Sequence, residues 1–168
     1  MSIRNRVFAS VLAVAAVMAL WLTLTGTTPV QAKATTVTTN SNIPISLVVF
    51  VPCAQGGTGE IVKLSGDLHA LFHVTIDNAG GFHFQSHFNP KGVSGLGLAS
   101  GDKYRATGVT RFGFNAHGLP FEFTSINNFR IIGKGKGNNL LIHMVFHLTV
   151  NANGDVTASV SNVKFDCK

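Results

Sequence analysis

From Ile43 onward, apolar and polar side chains alternate with a period of two. Leu68, Ala70, Phe72, Val74 and Ile76 oppose Asp67, His69, His73 and Thr75, while Phe82, Phe84 and Phe88 oppose His83, Gln85, His87 and Asn89. Further on, Leu140, Ile142, Met144, Phe146, Leu148 and Val150 oppose His143, His147 and Thr149. Strands that bury one face read this way. No run of a dozen residues keeps a helical period while avoiding glycine. The pattern predicts seven strands, over 45–51, 60–76 with a bend at Ser65-Gly66, 82–89, 103–115, 120–132, 139–151 and 155–166. The glycine-rich stretch 92–101 reads as a loop with at most a short eighth strand. Short turns at 77–81, 136–139 and 151–154 make successive strands antiparallel neighbours. The expected fold is an all-β antiparallel meander of seven to eight strands, closed into a barrel rather than split into a sandwich.

The residues before this region read differently. Arg4 and Arg6 precede an uncharged run from Val7 to Leu24, followed by Gly26, Pro29 and the small-x-small triplet Val30-Gln31-Ala32. That is the layout of a cleavable export signal. Residues 1–32 are therefore assigned as a signal peptide, 33–42 as a disordered Thr/Asn-rich spacer, and 43–168 as one β domain that is secreted or otherwise extracytoplasmic. Loss of residues 1–32 removes Arg4 and Arg6 and no carboxylate, so the formal charge of +6 becomes +4. Isolated basic residues of that number give solubility, not a nucleic-acid footprint. Lys134-Gly135-Lys136, the densest basic spot, reads as a solvated turn. No stable membrane insertion is expected after cleavage.

Two cysteines, Cys53 and Cys167, sit near the start and at the end of the domain. In an exported chain such a pair is expected to form a bridge that ties the first strand to the last.

Six of the seven histidines fall into three H-x-x-x-H pairs: His69 and His73, His83 and His87, His143 and His147. On a strand this spacing puts two imidazoles on one face but roughly 13 Å apart, too far to share an ion. All six lie opposite the apolar face. A three-residue turn at 77–79 would set His73 across from His83 and His69 across from His87, about 5 Å apart at Cβ, close enough for two-histidine Zn or Cu sites. A five-residue turn at 77–81 would make those pairs diagonal. Three roles stay open for this face: a solvated surface, the wall of a ligand or proton-transfer pocket, or a metal site. Residues 69–80 also resemble residues 143–154 as strand and turn.

Other chemistry is sparse. Glu122, between Phe121 and Phe123, shares a face with Arg130 and is expected to form an ion pair with it; Arg105 and Arg111 share a face on the preceding strand. No nucleophile elbow, phosphate loop or zinc-protease motif is present.

Val51-Pro52-Cys53, Gly59-Glu60-Ile61-Val62, the segment 127–133 (NNFRIIG) and the closing stretch from His147 to Lys168 resemble a group of small exported bacterial proteins of unknown function. The resemblance spans nearly the whole domain and implies its limits and an exported setting, but no activity. As a fold, an exported meander barrel is similar to lipocalins and to dirigent and allene oxide cyclase barrels, which bind or cyclise apolar small molecules. The Gly-x-Trp motif of lipocalins is absent, and the single tryptophan, Trp21, precedes the domain. Three functions follow as expectations. The first is a non-catalytic β-barrel that binds an apolar small molecule or serves at the cell surface. The others are a cofactor-free lyase or isomerase acting inside the barrel, and a His-based Zn or Cu protein.

Overall fold

The computed structural model describes residues 33–135 and 137–168; the expected signal peptide, 1–32, lies outside the described residues. Seven strands form one sheet: β1 (Thr35–Val51), β2 (Glu60–Ile76), β3 (Phe82–Gly97), β4 (Lys103–Ala116), β5 (Phe121–Gly133), β6 (Asn139–Val150) and β7 (Val156–Cys167). Each pairs antiparallel with the next, in chain order. One irregular helical turn, α1 (Ala54–Gly57), links β1 to β2.

Two expectations change. The stretch expected to be a disordered spacer is strand from Thr35 on, laddered from Thr35↔Ile76 to Asn42↔His69. Its Thr-rich sequence suits a strand, and β2 is long enough to supply a partner to its last residue, so ladder bonds offset the entropy of ordering. The glycine-rich stretch likewise continues β3 to Gly97, past a bulge where Gly92 takes a left-handed φ of 65°. The register shift at this bulge, between Phe88 and Ser94 against β4, bends the sheet.

The sheet rolls but does not close. Six flat interstrand steps would put β1 and β7 about 29 Å apart. Yet Cys53, just after β1, and Cys167, at the end of β7, stand at disulfide distance, with Sγ–Sγ 2.03 Å and Cα–Cα 5.4 Å. No ladder joins β1 to β7, so the expected closed barrel is not formed. An odd number of meander strands explains this: β1 and β7 run parallel, and the antiparallel ladder that closes an up-and-down barrel has no eighth strand to complete it.

The inside of the roll is the apolar face. At the cysteine end, Val51, Val62, Leu64, Tyr104, Ile131 and Leu140, from five strands, bury together with Cys53 and Ala54. The backbone at Gly95 is needed here, because any Cβ would collide with the Lys63 carbonyl of the neighbouring strand. Towards the other end the same face carries phenylalanines. Across one row the residues directly opposite one another are Phe72, Ser86, Phe112, Ser125, Phe146 and Ser161. Each serine leaves room for rings from adjacent rows, so Phe72 packs edge-on to Phe88 at 5.5 Å and Phe88 onto Phe112 at 6.0 Å. Contacts from Phe112 to Phe123 at 6.4 Å and Phe123 to Phe146 at 5.9 Å extend the chain of rings.

Candidate functional site

All six paired histidines share the outer face, as the alternation requires. Their cross-strand partners, however, are set by the turn after β2. There Asp77 N–H donates to the Gly81 carbonyl at 2.9 Å, and Asp77 Oδ1 accepts from the amides of Ala79 and Gly81, both at 2.8 Å. Asp77 and Gly81 thus close the base of a five-residue turn. His73 falls opposite Gln85, and His83 opposite Thr75. His69 faces Asn89, and His87 faces Leu71. The register that would pair His73 with His83 and His69 with His87 is not the one formed, and the two-histidine metal geometry built on it is lost. Among the described residues no group of three or more His, Cys, Asp or Glu is placed to hold a metal ion.

The turn after β6 repeats the device. Asn151 N–H donates to the Asp155 carbonyl at 2.9 Å, and Asn151 Oδ1 accepts from Asn153 and Asp155, both at 2.9 Å. The likeness of 69–80 to 143–154 is therefore a likeness of turn bonding as well as of sequence.

Most of these histidines bond to the residue directly across on a neighbouring strand. His73 Nδ1 meets Thr38 Oγ1 at 2.8 Å, His147 Nδ1 meets Thr124 Oγ1 at 2.9 Å, and His143 Nδ1 bonds to Asn128 Oδ1. His83 lies between two acceptors, Asp77 Oδ2 and Asn115 Oδ1, each at 3.0 Å. Donation to Asp77, and then to Asn115, raises the His83 pKa; the same bond, with the two turn amides, lowers that of Asp77 to about 2. His87 behaves oppositely. Arg111 Nε–H donates to its Nε2 at 3.3 Å, and burial, then the charges of Arg111 and His69, lower its pKa.

The expected ion pair of Glu122 with Arg130 is not formed. Eight positions along one strand separate them by roughly 26 Å, and Glu122 Oε1 instead lies 3.8 Å from His147 Nδ1. The carboxylate that sequence reasoning missed is Glu60, only 3% exposed. It accepts from Tyr104 Oη at 2.7 Å, from Ser100 Oγ at 2.9 Å and from the Ser100 amide at 3.2 Å. The Tyr104 bond lowers the Glu60 pKa against the opposing effect of burial, while burial and then Glu60 hold the Tyr104 hydroxyl protonated well above the usual phenol range. This cluster fastens the 98–102 turn onto β2. Its only sequence signal is an acid placed on the inward parity at the start of an apolar strand.

Two hollows lie on opposite faces. One, of about 290 Å³, opens inside the roll and is lined by Ile45, Leu47, Leu68, Phe88, Pro90, Thr110, Phe112 and Phe129. Its sole hydroxyl, Thr110 Oγ1, donates to Asn127 Oδ1 at 3.3 Å. The other, of about 460 Å³, lies on the histidine face over Gly113. Leu47, on β1 and partly exposed, puts the mouth of the first hollow beside the unpaired outer edge of that strand. No protein-family model, no curated protein and no solved structure matches the chain.

Proposed function

We propose that the protein is an extracytoplasmic binding protein that holds an apolar small molecule inside the rolled sheet. The observation that carries this reading is the phenylalanine-lined hollow spanning β1 to β5, apolar on every side except Thr110 and reachable along the open edge of β1. A hollow of that lining gains free energy by taking up a hydrophobic ligand, and it offers no base, acid or nucleophile to transform one. The half-buried rings of Phe72, Phe84, Phe114 and Phe123 continue the apolar surface beyond it. Neutral Nile red titrated into the purified protein should show saturable, blue-shifted fluorescence. Leu47→Arg, at the mouth, should weaken that binding by about tenfold. Fluorescence that rises without saturation, or that is unchanged by this substitution, would return the trough to a structural role. The disulfide-distance cysteines accord with an oxidising compartment.

A further inference from the structure

We propose that the hollow over Gly113 on the histidine face binds the carboxylate of a small organic acid with a flat apolar body. The site is created by register. Gly113 on β4 lies directly between Gln85 on β3 and Thr124 on β5, and those two lie opposite His73 and His147. One row along, Leu71, His87, Arg111 and Ile126 stand side by side on four of those five strands. In the middle of this double row only Gly113 lacks a side chain, and a Cβ there would meet nothing within 4 Å. The gap is a hollow of about 460 Å³ rimmed by His73, Gln85, His87, Arg111 and Thr124.

Every polar side chain on that rim can donate a hydrogen bond, and no carboxylate lines it. Arg111 has no carboxylate within salt-bridge distance among the described residues, whose ion pairs are those of His83 with Asp77 and His147 with Glu122. Glu122 itself stands one row away, opposite Asn115 and Thr149. The Arg111 Nε–H is spent on His87 Nε2, which steadies the guanidinium and leaves its terminal Nη groups for a ligand. With its Nε2 accepting, a neutral His87 keeps its proton on Nδ1 as a second donor. Such a fork matches the two oxygens of a carboxylate. The rest of the lining is Leu71, Ile126, Ser86, Phe112 and Gly113, mostly apolar, so a flat hydrocarbon can lie against it. Inorganic phosphate would match the charge but leave that lining uncovered.

The site faces away from the phenylalanine trough, since Arg111 and Phe112 point to opposite sides of β4. The test is titration of the purified protein with 2-naphthoate at low salt, read from the imidazole NMR signals of His73 and His87. Saturation below about 1 mM is expected, with inorganic phosphate and the neutral 2-naphthalenemethanol at least about tenfold weaker. Gly113→Val puts a branched side chain into the hollow, where a Cβ meets nothing within 4 Å, and should weaken naphthoate by at least about tenfold while leaving the unfolding midpoint intact or raised. Arg111→Gln, which removes the charge and the guanidinium fork, should cost at least about tenfold as well. A smaller loss in either variant, equal affinity for the alcohol or for phosphate, or no saturation by about 10 mM overturns the proposal.

Discussion

Opening the bond between Cys53 and Cys167 should lower stability by about 5 kcal/mol. The two cysteines are 114 residues apart in sequence, and the chain-entropy model assigns about 5 kcal/mol to a loop of that length at 25 °C. Domains of this size are stable by about 5–15 kcal/mol in total, so the bridge is a large share. Among the described residues no ladder joins the two edges, since β1 and β7 are not hydrogen-bonded neighbours. For a domain of this length the loss corresponds to a fall in Tm of about 10–20 °C. The cleanest perturbation is reduction of the wild-type protein, which leaves both sulfur atoms in place; the C53A/C167A double variant adds the loss of Cys53 packing, a side chain only 5% exposed within the core. Calorimetric melts of oxidised and reduced protein give the difference directly. Amide exchange at Val51 and Leu140, on either side of the buried cluster, should quicken on reduction. A reduced protein melting within about 2 °C of the oxidised one would mean that packing inside the roll, not covalent closure, holds the edges together.

Asp77→Asn should keep the turn, since Asn151 makes the same bonds at the equivalent place, yet it should bring the His83 titration, followed by NMR, back down. The His83 pKa is raised, so the stability this pair adds is fully present below about pH 6.5 and fades as pH rises through the folded value; Asp77→Asn should flatten that slope, and an unchanged slope would sink the assignment. On the acid side, the part carried by Asp77 is present above its ordinary value of 3.8 and is lost as pH falls towards about 2. Glu60→Gln leaves donors facing a donor inside the core and should cost about 1–3 kcal/mol in denaturant unfolding at pH 7, while an equal midpoint would show the Tyr104 bond to be dispensable. Gly95→Ala should destabilise by more than about 2 kcal/mol because its Cβ meets the Lys63 backbone, which cannot yield; a stable variant would contradict the close approach of β2 and β3.

Alternation with a period of two determined much of this protein from the chain alone. It placed five of the seven strands to within about two residues at both ends, sent all six paired histidines to one face, and left most of the phenylalanines on the other, Phe50 on β1 excepted. The positions of Cys53 and Cys167 likewise determined which two strands a bridge would tie. These are local or pairwise properties, and the side-chain period of a strand carries them. What lay beyond reach depended on register, which is a matter of single residues in a turn. Whether Asp77 pairs with Gly81 or with a nearer residue cannot be read from Asp77-Asn78-Ala79-Gly80-Gly81, yet it decides whether His73 meets His83 or Gln85. The same register puts Gly113, legible in sequence only as one position of the strand over 103–115, between Gln85 and Thr124 and makes a hollow there. The strand character of 35–42 was hidden because a polar Thr/Asn run shows no apolar period; only the length of β2 beside it supplied the partner. Closure, finally, was decided by the parity of the strand count: seven antiparallel strands leave two parallel edges, and the roll is finished by one covalent bond in place of a ladder.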